Sequence, residues 1–78
     1  MKCLVYRSTR YPDMYLFVDR DPSDADVPQS LLERMGRLEF ALELELTPER
    51  QLARTDGATV IASIEQQGFH LQMPPSWP

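Results

Sequence analysis

From Leu38 to Leu46 the sequence reads Leu-Glu-Phe-Ala-Leu-Glu-Leu-Glu-Leu, an unbroken alternation of apolar residues with Glu39, Ala41, Glu43 and Glu45. Side chains on a strand point to opposite faces with a period of two, so the segment is a β-strand with one apolar and one acidic face. Such a strand needs neighbours to pair with and a second layer over its apolar face. The pattern predicts that Leu38, Phe40, Leu42 and Leu44 face the core while Glu39, Glu43 and Glu45 stay in solvent. A slip of one residue would exchange those faces, so register is strongly constrained.

The remaining elements are read around this strand. Residues 3–7 and 14–19 are rich in Val, Leu, Tyr and Phe and read as two strands. The polar stretch Ser8-Thr9-Arg10-Tyr11-Pro12-Asp13 joins them through a Pro-Asp turn, which makes an antiparallel hairpin. In the second strand both alternating sets are apolar, Met14, Leu16 and Val18 against Tyr15 and Phe17, so it should be covered on both faces. After an acidic loop from Asp19 to Asp26, Pro28 fits a first helical turn, and Leu31, Leu32 and Met35 follow at helical spacing up to Gly36. Thr47-Pro48 suggests a further helical turn over residues 48–54. A second helix starts from a cap at Thr55 or Asp56, carries Val60, Ile61 and Ile64 on one stripe, and stops at Gly68. Phe69, Leu71 and Met73 alternate with His70 and Gln72 as a fourth strand, before the proline-rich tail 74–78. The order β-β-α-β-α-β predicts an α/β (α+β) fold, with helices packed on a four-stranded, mainly antiparallel sheet in a sandwich-like arrangement.

A chain of 78 residues forms one domain, 1–78, and buries a modest core. Its single cysteine, Cys3, rules out an internal disulfide and suits a reducing, cytoplasmic compartment. No apolar run approaches the length of a membrane span, and Arg7 ends the apolar N-terminal stretch too early for a signal peptide. The net charge of −4 disfavours a dedicated nucleic-acid binder, which draws its affinity from phosphate contacts. The charge is uneven: the first twelve residues hold Lys2, Arg7 and Arg10 without an acid, whereas Asp13 to Asp26 hold five acids and only Arg20.

Four motifs, taken in order, carry a resemblance. Cys3 with Val5-Tyr6-Arg7-Ser8, Tyr15-Leu16-Phe17-Val18, Val27-Pro28 with Leu31-Leu32, and Gly68-Phe69-His70-Leu71-Gln72-Met73-Pro74-Pro75 together resemble the YcgL-domain family, small proteins of gammaproteobacteria and relatives. The resemblance covers nearly the whole chain and implies a compact α/β sandwich. The family has no established biochemical activity, and the frequent neighbourhood of its genes with one for ribonuclease D implies a link to RNA metabolism. This sequence departs from the family at Phe69-His70, where a Tyr-Tyr pair is usual, and it ends at Pro78 where many members continue into a long polar tail.

Few residues suit chemistry. His70 is the only histidine, and as a general base it would need a carboxylate and a nucleophile in reach. Glu43 or Glu45 would serve if the third and fourth strands were close, but the expectation is a surface histidine on a half-exposed sheet. One imidazole with carboxylates is thin ligation for a metal. The acidic residues Asp19, Asp21, Asp24 and Asp26 lack the glycine and terminal glutamate of a calcium loop. Glu39, Glu43 and Glu45 read as a solvated face, and Cys3 as a small buried hydrophobe. No catalytic, cofactor-binding or metal-binding residue is therefore assigned. The cluster Lys2, Tyr6, Arg7, Arg10, Tyr11 and Tyr15 combines cations with aromatics, which can stack on bases or anchor a protein partner, and Trp77 extends it as a candidate contact. The competing structural expectation pairs Arg7 with Asp19 and lays Trp77 over the core. The expectation is a non-catalytic interaction or accessory module, tied to RNA processing through a protein partner. Direct RNA binding by the Lys2, Arg7, Arg10 end is the alternative, and an enzyme would require a deep pocket converging on His70.

Overall fold

The computed structural model describes residues 1–52 and 55–73. Its elements run β1 (Lys2–Ser8), β2 (Tyr15–Val18), α1 (Gln29–Met35), β3 (Leu38–Glu45), α2 (Gly57–Gln67) and β4 (His70–Gln72), the order expected. The four strands form one antiparallel sheet in the spatial order β3-β1-β2-β4. The hairpin is central. It pairs Val5 with Phe17, Tyr6 with Leu16 and Arg7 with Tyr15, while β3 joins its β1 side and β4 its β2 side.

A helix packs on each face of the sheet. Cys3, Val5, Phe17, Leu46, Val60 and Ile64 form one core between the sheet and α2. Met14, Leu16, Val18 and Met35 form a second core on the α1 side, flanked by Leu31, Leu32 and Leu71. The strand β2 is thus sandwiched: Leu16, Phe17 and Val18 are all buried, as its double apolar pattern implies.

The helices end where the sequence places their caps. Asp56 Oδ1 accepts the Thr59 amide at 2.8 Å to start α2, and Gly68 closes it with a left-handed φ of 94°. Pro28 lies one residue ahead of α1, and its carbonyl accepts the amides of Leu31 and Leu32. Residues 48 and 49 form a turn and no helix. Arg50 instead donates to the Thr47 carbonyl and accepts from the Gly57 amide, which leads the chain directly into α2. Gln51 forms an isolated bridge with Asp56 and residues 50–52 are not helical either, so the helical turn expected over 48–54 is absent from 48–52, while positions 53 and 54 lie outside the described residues.

The strand β3 departs from its expected orientation. Tyr6 pairs with Phe40 and Val5 with Leu42, so Ala41 is an extra residue opposite β1. This bulge reverses the alternation at mid-strand. Leu38 and Phe40 fall on the α1 face, beside Tyr6, whereas Leu42, Leu44 and Leu46 fall on the α2 face. The strand is also at the sheet edge, where neither helix reaches its full width. The core assignment of Leu38, Phe40, Leu42 and Leu44 therefore needs correcting. Phe40 is 57% and Leu42 46% exposed, Leu38 and Leu44 are half-buried, and Leu46 is the residue that enters the core. The glutamates are exposed as expected.

Candidate functional site

The α2 face is unevenly covered. To connect β3 with β4, α2 must cross from one edge of the sheet to the other, and it settles against β2 and β4. Eleven residues span only about 16 Å of helix. The β1–β3 side is left as an open hollow with a volume of about 360 Å³, lined by Val5, Tyr15, Phe17, Leu42, Leu44 and Leu52 and rimmed by Asp13 and Gln72. Each sheet residue here follows from register. Leu42, Val5 and Phe17 form one cross-strand row, and Tyr15 and Gln72 belong to the next. That next row continues through Arg7 to Glu39, whose side chains meet at 2.9 Å at the hollow's end.

The basic and aromatic residues of the hairpin do not converge. Arg7 and Tyr15 face each other on the α2 side, while Tyr6 and Tyr11 pack on the α1 side. Tyr6 meets Phe40 edge-to-face with ring centroids 5.6 Å apart. Lys2 lies at the opposite end of β1 from Arg7, within 3.8 Å of Glu43. Arg7 pairs with Glu39, so the expected pairing with Asp19 is replaced, and Asp19 holds Arg20 instead. Arg10 is exposed in the β1–β2 connection and makes no ion pair among the described residues. Trp77 lies outside the described residues.

His70 is less exposed than expected. It faces α2, half-buried, with Nδ1 3.0 Å from Ser63 Oγ and its ring 5.7 Å from that of Phe17. Burial pushes its pKa below the ordinary 6.5. The surface assignment fails because α2 leans over β4 and covers it. Since β3 and β4 are opposite edges, Glu43 and Glu45 cannot share a site with His70. A serine hydroxyl without an orienting acid is an incomplete nucleophile–base pair. Cys3 is fully buried, and desolvation pushes its thiol up to about 11, the state of an unreactive core cysteine. Among the described residues no cluster of His, Cys, Asp and Glu could hold a metal ion, and no helix is long and apolar enough to cross a membrane.

Sequence reasoning missed Leu52 and the hollow as a whole, because its existence depends on where α2 lies and on the bulge that turns Leu42 toward it. Ser8 was also overlooked, although a small hydroxyl residue at the end of an apolar strand is the usual signal for an anchor of the following turn.

Residues 3–75 match the profile of the YcgL domain. A YcgL domain-containing protein of Pseudomonas aeruginosa is 53% identical over 73 residues, which cover 94% of this chain and 75% of that protein. One from Stutzerimonas stutzeri is 53% identical over 74 residues, covering 95% of this chain and 76% of that protein. One from Thioalkalivibrio sulfidiphilus is 48% identical over 75 residues, covering 96% and 93% respectively.

Proposed function

The chain belongs to the YcgL domain family, and on that premise we propose that it is a non-catalytic interaction module that docks a protein partner over the uncovered part of its α2 face. One observation carries this reading: the hollow floored by Val5, Tyr15, Phe17, Leu42, Leu44 and Leu52 is apolar and open in so small a domain. Contiguous exposed apolar surface with a polar rim is the usual form of a protein contact. Asp13 and Gln72 supply that rim and would orient the partner. The cytoplasm belongs to the same reading, since a lone buried thiol suits a reducing compartment. The ribonuclease D gene neighbourhood supports a search for the partner among RNA-processing proteins. Direct RNA binding is less favoured, because Arg7 is already engaged by Glu39 and the tyrosines divide between two faces.

The test is affinity capture from cell extract with the wild-type protein and with Leu42→Asp, followed by titration of the purified candidate. The expected result is a partner bound by the wild type and lost with Leu42→Asp, whose melting temperature is little changed. Equal binding to both proteins would remove the hollow from consideration. If short RNA bound at low salt and Arg10→Glu abolished it, the direct RNA reading would replace this one.

A further inference from the structure

The hollow continues onto the free edge of β3, and this edge carries its own signature. The strand is eight residues long and stands last in the sheet, so β1 pairs one side of its backbone; no described strand pairs the other, where the Glu45 carbonyl accepts a 3.3 Å bond from Arg50 Nη1 at the strand's end. After the bulge at Ala41 the segment Leu42–Glu45 is regular. Leu42 and Leu44 point to the α2 face beside the hollow, and Glu43 and Glu45 point to the α1 face, opposite Leu4 and Lys2. Both glutamates are exposed. Glu43 has a single long contact to Lys2 at 3.8 Å, and Glu45 is held by the terminal amine at 2.7 Å.

We propose that β3 accepts an extended segment of a partner protein as an added strand, and that this segment alternates apolar and basic residues. The inference rests on the interaction-module reading and specifies the mode and the chemistry of recognition. In strand addition, main-chain hydrogen bonds supply affinity and alternate side chains supply specificity. Here the apolar set of the incoming strand lies beside Leu42 and Leu44 and closes the mouth of the hollow. Its other set lies beside Glu43 and Glu45, where cations satisfy the carboxylates. The same glutamates argue against a second copy of this chain. Antiparallel pairing of two β3 edges around a two-fold axis sets a row of glutamates against a like row, which is repulsive.

The probe is a fluorescent peptide of alternating valine and lysine, matched to the eight residues of β3. Its controls are a permuted peptide of the same composition and one N-methylated at every second amide. The expected result is salt-sensitive binding of the alternating peptide alone, with amide shift changes and slowed exchange concentrated in β3. The double variant Glu43→Lys, Glu45→Lys should weaken this peptide by about tenfold or more and favour a valine–glutamate peptide instead. If that variant folds poorly, Glu43→Gln with the same pair of peptides reads the same preference. Equal binding of the permuted or N-methylated peptide overturns strand addition. Shift changes at Tyr15, Phe17 and Leu52 with a silent β3 also overturn it, while leaving the hollow as a docking site. Concentration-dependent dimers in sedimentation, with amide exchange slowed in β3 on dimerisation, assign the edge to a second copy and overturn the heterologous partner.

Discussion

Ser8 is buried at the end of β1, where its hydroxyl donates to the Met35 carbonyl and accepts the amides of Arg10 and Tyr11. One side chain thereby joins the hairpin connection to the end of α1. Ser8→Ala strips partners from two amides and a carbonyl, so it should cost about 1–3 kcal/mol in urea unfolding. Faster amide exchange at Arg10 and Tyr11 should accompany that loss, and unchanged exchange there would contradict the anchoring role. His70 offers a pH signature. Burial depresses its pKa, so folding favours the neutral ring. That contribution is complete above the unfolded value of 6.5 and is lost as pH falls from there through the lower folded value. Stability measured from about pH 7.5 down to 5 should therefore decline, and His70→Gln should remove part of the decline. Coincident profiles would exclude His70 as its source. Because the ring contacts Phe17 and Ser63, His70→Ala should cost on the order of 1–2 kcal/mol, more than an exposed histidine would.

Among the elements, β3 tests how much a pattern discloses. Its alternation identified the strand and the exposure of every glutamate, because both depend only on local period. The bulge was hidden because Ala41 is small and neutral and fits either orientation, and the edge position was hidden because strand order is a long-range property. The hairpin was legible through its Pro12-Asp13 turn, and the cover on both sides of β2 through its double apolar set. Of the candidate site, the Arg7–Tyr15 apposition was accessible from the hairpin, whereas the hollow required the path of α2. Two consequences are measurable. Leu42→Ser should cost less than about 1.5 kcal/mol in chemical denaturation, against about 2–5 for Leu16→Ala, since Leu16 is fully buried. At the entrance to α2, a Cβ on Gly57 would overlap the Thr47 carbonyl oxygen, which is fixed by its bond from Arg50. Gly57→Ala should thus destabilise by about 2–4 kcal/mol despite alanine's better helix propensity. A stabilised variant would show that this junction yields.

At the scale of the whole molecule, the Cys3 thiol reports on cooperativity. It is fully buried on β1, inside the sheet and under the α2 core, with its pKa up at about 11. At about pH 8 a thiol reagent should reach it only through global opening, so labelling should be no faster than unfolding. Labelling far faster than unfolding would reveal local release of β1. The central place of the hairpin matters again while the chain is being made. Residues 2–18 are synthesised before the strands that flank them, since β3 and β4 follow α1 and α2 in sequence. Until those arrive, the hairpin offers two open edges and two uncovered apolar faces. A nascent chain whose first 28 residues alone have left the ribosome would expose all four surfaces together, and it is at this length that it most needs a chaperone.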